Sequence, residues 1–404
     1  MPNKSACLLS ATALATALAA TPGHAGTYTT LYQFTGGNDG AAPLAPVTYD
    51  EKGNLYGVTE EGANDCVASA YGSYGCGTVF KISASGQETT LVTFDGTNGA
   101  NPSGRLTLVN HTLYGSARNG GPGAVREPFG DGVLFSVRAD GTHFKFLHVF
   151  HGREGANPLG PLVTGPAGIF YGITEFGGPS DRRGYTYGVL FELMPDGTYL
   201  QLHDFTGGTD GGYPVSLTID TAGTIYGSTN DPNGKYGNSV FRYVPSTAAF
   251  TTLHTFTRNE GLGPELGSIG PDGTLYGTTA SGGLNNAYGS LFELIPAGDG
   301  TYGLNTLYRF RYSRGPGVYP FGGPVLTRSG ALIGALNAGE LYKYKFNHMT
   351  TLYTFATYSD LAPPTLDKNG TIYGAGGAGV TAPCTVEGYS DSLGCGFVYS
   401  FVDR

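Results

Sequence analysis

The chain has 404 residues, a formal net charge of −9, 13% charged residues, and 68 Gly beside 24 Pro. An acidic chain with no Lys/Arg cluster makes a poor binder of nucleic acid or of an anionic membrane surface, because neutralising phosphates takes clustered positive charge. Glycine at this level would signal disorder if it were scattered, but here it recurs at fixed places along the chain.

Residues 1–25 read as a secretory signal, with Lys4 as the positive start, an Ala/Leu/Thr stretch over 8–20, and Gly23-His24-Ala25 at the cleavage position. The apolar stretch is short and Ala-rich for a membrane span. No later stretch is apolar for long enough to cross a bilayer. These features predict an exported protein, periplasmic or extracellular, whose residues 26–404 form one domain.

That domain opens on TTLYQF (29–34), followed by a Pro-led segment APLAPVTYD (42–50), then LYGVT (55–59), then GTVF (77–80). The cycle restarts at TTLVTF (89–94) and returns with LYGSA (113–117), FYGIT (170–174), IYGST (225–229), LYGTT (275–279), the weaker LIGAL (332–336) and IYGAG (372–376). Each cycle holds short alternating segments rich in β-branched and aromatic residues, which is the pattern of strands. We label them A (after the Pro), B (LYG), C (GxVF) and D (LxxF). Asp/Asn-Gly pairs in DEKGN (50–54), PDGT (271–274) and MPDGT (194–198) supply the positive φ of tight hairpin turns.

Four antiparallel strands repeated at this spacing predict an all-β, seven-bladed β-propeller. The chain starts on a D strand and its last repeated segment is the C strand GFVY (396–399), so the N-terminal strand is predicted to complete the last blade. The LYG tyrosines and GxVF aromatics are expected to fill the space between blades, with Gly57 and its equivalents letting a ring or strand approach closely.

Cys66, Cys76, Cys384 and Cys395 form two close pairs, each before a GxVF-type segment. In an oxidising compartment they read as disulfides Cys66–Cys76 and Cys384–Cys395. The rival reading, a metal site, lacks both a His partner and zinc spacing. His148, His203 and His254 occupy one position in three D strands, where other repeats have Tyr or Val, and read as repeat residues.

The pattern GNLYGVT (53–59), GTLYGTTASGG (273–283) and GTVFKI (77–82) resembles the GloVer tandem-repeat family of exported bacterial proteins, over essentially all of residues 26–404. The resemblance implies the repeat and export. It carries no catalytic residues. Many members end in a sorting anchor, and this sequence stops just past strand C.

Chemistry is expected on the face carrying the long D–A and B–C loops. The ligand-binding candidates are Asn101, Asn157, Tyr213 and Tyr319, each just before a strand-A Pro and expected in extended conformation. Arg126, Arg153, Arg182 and Arg258 join them from the loops. A polymer-cleaving site would draw on His151 or Tyr185 as base, or on paired carboxylates from Glu127, Glu154 and Glu175. No cofactor is expected beyond a Ca²⁺ ion under NDPNG (230–234), where Asp231 is the one charged group. These features point to a monomer that binds an extracellular glycan or similar polymer. The alternatives are a polysaccharide lyase or glycoside hydrolase, and an envelope scaffold binding a surface protein.

Overall fold

The structure is a computed structural model and describes residues 26–403 apart from 64–65, 67–74, 124–130, 180–185, 232–236, 285–286, 313–317, 356–359, 378–383 and 385–393. Seven four-stranded antiparallel sheets account for every strand among the described residues. Blade 1 is built from Thr48–Tyr49, Leu55–Thr59, Thr78–Ile82 and Glu88–Thr93, in that spatial order. Blades 2 to 6 follow in chain order with the same A-B-C-D arrangement. Blade 7 takes Thr365–Leu366, Ile372–Gly376 and Phe397–Val402 from the C-terminal part of the chain, and its outer strand Thr27–Gln33 from the N-terminal part. The closing pair runs from Thr27↔Val402 to Gln33↔Phe397.

Strand A is six to ten residues long in blades 2 to 6, but only two residues in blades 1 and 7. The reason is local. Pro43 and Pro46 precede the one, and Pro363 and Pro364 the other, and each proline removes a ladder donor.

The recurring residues build one contact seven times. In every blade the LYG glycine pairs across the ladder with the GxVF aromatic, as Gly57 does with Phe80. The ring lies flat over that glycine, so closely that a Cβ on Gly57 would stand 2.4 Å from Phe80 Cζ. The same ring takes the edge of the LxxF phenylalanine from the preceding blade. Centroid distances are 5.0 Å for Phe34–Phe80, 5.3 Å for Phe94–Phe135, 5.7 Å for Phe150–Phe191 and 5.3 Å for Phe205–Phe241. They are 4.9 Å for Phe256–Phe292, 5.4 Å for Phe310–Tyr342 and 5.0 Å for Phe355–Tyr399. The core is therefore a ring of interblade clusters, and the seam between blades 7 and 1 has the same contact as the rest.

Two further links run around the ring. On the inside, Thr365 Oγ1 donates to Val47 O at 2.8 Å, Thr107 Oγ1 to Leu162 O at 2.5 Å and Ser268 Oγ to Pro324 O at 3.1 Å, each reaching the next blade. On the outside, rings of adjacent D strands stack, at 4.4 Å for Tyr28–Tyr353, 4.1 Å for His148–Tyr199 and 3.7 Å for His203–Phe250. Disulfides join Cys66 to Cys76 and Cys384 to Cys395, as the sequence predicts.

Deleting residues 26–36 removes the closing strand together with Phe34. The melting temperature should fall by at least about 5 °C, the shift that several kcal/mol produce in a domain of this size; an unchanged transition would refute closure. Gly57→Ala forces Phe80 off its seat and should destabilise by about 1–3 kcal/mol in urea unfolding.

Candidate functional site

The loop face is organised by the residue before each strand-A proline. Extended backbone is expected there, yet Ala42, Asn101, Asn157, Tyr213 and Tyr319 are left-handed, with φ of 54, 52, 54, 58 and 59°. Hydrogen bonds to the preceding blade hold them. The N–H of Ala42 donates to Cys395 O at 2.9 Å, Asn101 to Cys76 O at 2.8 Å, Asn157 to Asp131 O at 2.9 Å, Tyr213 to Tyr187 O at 2.8 Å and Tyr319 to Tyr288 O at 3.0 Å. A non-glycine residue in this region is uncommon and costs free energy, so it persists only where neighbours fix it. The following proline seals the joint: Pro102 Cδ occupies the space a Cβ on Gly77 would need, at 2.7 Å.

From these joints a chain of hydrogen bonds runs across the loop face. Asn101 Nδ2 donates to Glu60 O at 3.0 Å, and Asn119 Nδ2 to Asn101 Oδ1 at 3.1 Å. Asn157 Nδ2 donates to Asn119 Oδ1 at 2.9 Å and to Arg118 O at 3.0 Å. Arg118 Nη2 donates to Glu175 Oε2 at 2.7 Å, while its Nε is buried without a partner. A continuous polar ladder thus crosses blades 1, 2 and 3. Burial raises the Glu60 carboxyl above its ordinary value, against the pull of Arg118, with Glu61 adding to the rise.

Other candidates fall elsewhere. His151, Arg153 and Arg258 are exposed. Glu154 Oε1 lies 3.1 Å from His148 Nε2, an arrangement repeated at 3.1 Å by Asp210 with His203 and at 3.6 Å by Glu260 with His254. Each of these D-strand histidines faces its own D–A carboxylate. Tyr213 is half-buried between the rings of Phe176 and Tyr187, at 5.7 and 5.8 Å. Tyr319 is 41% exposed and Tyr312 is 78% exposed, both beside Tyr288. Arg126, Glu127, Arg182 and Tyr185 lie outside the described residues. Asp231, the calcium candidate, is 1% exposed, and the rest of its acceptor loop, 232–234, is likewise outside them. Among the described residues no three His, Cys, Asp or Glu cluster as metal ligands do.

Sequence reasoning missed Arg118 and Asn119. A signal existed: the residue directly after LYGVT, LYGSA, FYGIT and IYGST is Glu60, Arg118, Glu175 and Asn230. Aligning that column by repeat position collects the mouth. Arg105 and Glu265, two charges on inner strands, were missed as well.

Beneath the mouth runs a central channel of ≈1120 Å³, lined by the inner strands of all seven blades. Glu60 stands at its loop end; Asp50, Glu51, Lys52 and His111 stand at the A–B turn end. Burial pushes the Glu265 carboxyl up to about 7, with no opposing charge or hydrogen bond.

An acid whose folded value is raised holds its proton after the unfolded chain has released it. Glu265 therefore costs stability progressively as pH climbs from about 4.3, the unfolded value, to about 7. Glu265→Gln removes the penalty. Its gain over the parent should be near zero at pH 4 and about 1–3 kcal/mol at pH 8, solvent in the channel keeping it below the full linkage value. An equal gain at both pH values would contradict this.

A family model described as the Gloeobacter/Verrucomicrobia repeat matches residues 123–340, more than half of the chain. A search of curated protein sequences returns no match. Among solved structures, YCF48 from Cyanidioschyzon merolae is similar at 12% identity and a TM-score of 0.55, covering 93% of this chain and 98% of that one. The extracellular domain of BT4673 from B. thetaiotaomicron is similar at 11% identity and a TM-score of 0.55, over 90% of this chain but 38% of that one. That of BT3049, from the same organism, gives 13% and 0.55, over 92% and 40%. At such identities the likeness is one of fold.

Proposed function

The chain belongs to the Gloeobacter/Verrucomicrobia repeat family, and from that premise we propose that it is an exported propeller which binds a hydroxyl-rich extracellular glycan on its D–A/B–C loop face. The observation that carries this is the ladder Glu60–Asn101–Asn119–Asn157–Arg118–Glu175 at the channel mouth. Amides offer donors and acceptors together, which suits sugar hydroxyls, and carboxylates add acceptors. The exposed rings of Tyr312 and Tyr319 on the same face supply apolar surface for sugar rings. Within the ladder the one cation, Arg118, is already engaged by Glu175. A neutral glycan therefore fits this patch better than a uronate polymer.

Export rests on the signal-like residues 1–25, which lie outside the described residues, and agrees with two disulfides. Among the described residues no helix is long and apolar enough to cross a membrane. A carbohydrate-active enzyme is the second reading. It is favoured by the raised Glu60 carboxyl, a protonatable acid near the Arg118–Glu175 pair.

The test is a panel of neutral and uronate-containing polysaccharides, read by melting-temperature shift, by isothermal titration and by release of reducing ends. Neutral members should bind. Asn157→Ala and Tyr319→Ala should each weaken binding about tenfold, the effect of one lost contact of some 1.4 kcal/mol, while circular dichroism stays unchanged. New reducing ends would convert the reading to an enzyme. Silence across the panel, or variants that bind as the parent does, would overturn it in favour of a protein-binding scaffold.

A further inference from the structure

We propose that the central channel is a second binding site, for a small zwitterion: an amino carboxylate with an apolar body, its carboxylate on Arg105 and its ammonium on Glu265. Leu106 and Leu266 are buried in interblade clusters. Their predecessors, Arg105 and Glu265, line the channel, and Arg105 is exposed to it. They sit in blades 2 and 5, three positions apart in a ring of seven, and so face each other from opposite walls.

Neither charge is compensated by protein. Arg105 donates from Nε to Thr48 Oγ1 at 3.3 Å, and among the described residues it makes no ion pair and the Glu265 carboxylate has neither hydrogen bond nor ion pair. The Tyr49 hydroxyl is the one ionisable group that acts on the Arg105 guanidinium, which is exposed to the channel's solvent. Arg105 is exposed to the channel and Glu265 is part-buried in its wall, neither with a protein counter-charge among the described residues, and one ligand bearing both opposite charges would pair the two groups together. The wall supplies Leu44, Leu159, Val215 and Phe321, which suit a methylene chain rather than a hydroxylated one. The remaining ionisable groups of the lining are Tyr49 in the wall, Glu60 at one end, and Asp50, Glu51, Lys52 and His111 at the other.

This inference does not rest on the glycan reading, which concerns the mouth and loops. The experiment is isothermal titration of the full mature chain with a length series of linear ω-amino carboxylates, alongside the alkyl amines and alkyl carboxylates of matching length. At least one amino carboxylate should bind about tenfold or more tightly than either half-ligand, and Glu265→Gln and Arg105→Gln should each remove about that factor. Near pH 7 the binding heat should vary with the buffer's ionisation enthalpy, because pairing drives a proton off Glu265; Glu265→Gln should abolish that dependence. Asn157→Ala should leave all of this unchanged. Should Arg105→Gln fail to fold, Arg105→Lys keeps the charge and must retain binding. The proposal is overturned if no amino carboxylate outbinds its half-ligands, or if folded variants of both residues bind as the parent does.

Discussion

Each blade rests on one contact: a flat ring seated on a glycine of its own sheet and met edge-on by a phenylalanine of the preceding blade. The contact is sterically binary. Phe80 fits over Gly57 only because no Cβ is there. The seat fixes how far the ring projects, and the projection fixes where the next blade stops. An aromatic pair of this kind contributes about 0.5–1.5 kcal/mol beyond the area it buries, but its larger effect is geometric. Seven contacts of one kind repeat one interblade arrangement, and a ring closes only when its steps add to a full turn. The two tyrosines that replace phenylalanine, Tyr342 and Tyr399, keep the same seat with buried hydroxyls that have no partner. Ring shape is thus retained at the expense of polar satisfaction.

A second constraint sits at the joints between blades. Asn101, Asn157, Tyr213 and Tyr319 are held left-handed by bonds to the neighbouring blade. Removing a blade contact would free them as well as loosening the core. The scaffold and the mouth are therefore coupled through the backbone. Polar side chains on this face are placed by interblade joints, which favours a preorganised surface. The paired histidines and carboxylates of the outer strands serve a different end. His148, His203 and His254 each face a separate D–A loop acid, and two of them also stack on the next blade's ring.

The repeat was legible because packing needs a particular residue at a particular register, seven times over. Gly57, Phe80 and Phe34 mark three points of one contact, and their recurrence gave blade number, strand order and closure. The cysteine pairs were legible for a similar reason, since each lies within one loop before a GxVF strand. The site was less so. Arg118 looks like any loop charge until its position after LYGSA is aligned with Glu60 and Glu175. Glu265 and Arg105 interrupt otherwise neutral inner strands, yet nothing local reveals that blades 2 and 5 oppose each other. The left-handed backbone at Asn101 and Tyr213 was hidden too, because proline locally favours the extended form and only a bond from another blade overrides it.

The closing strand has a further consequence, for the time course of folding. Thr27 pairs with Val402, 375 residues away (402 − 27). The C and D strands of the other blades are neighbours in sequence. Closure entropy grows only as the logarithm of loop length, so joining ends 375 apart rather than 15 apart, as for Thr78 and Thr93, costs roughly 3 kcal/mol more. Against the whole ring that is a small equilibrium penalty. Kinetically it matters more, because the pairing cannot begin until the final strand is available. Until then Thr27–Gln33 has no ladder partner, and blade 7 presents an open sheet edge of the kind that recruits other chains. The same seam that leaves the finished ring without a gap makes the unfinished one prone to pair with its neighbours.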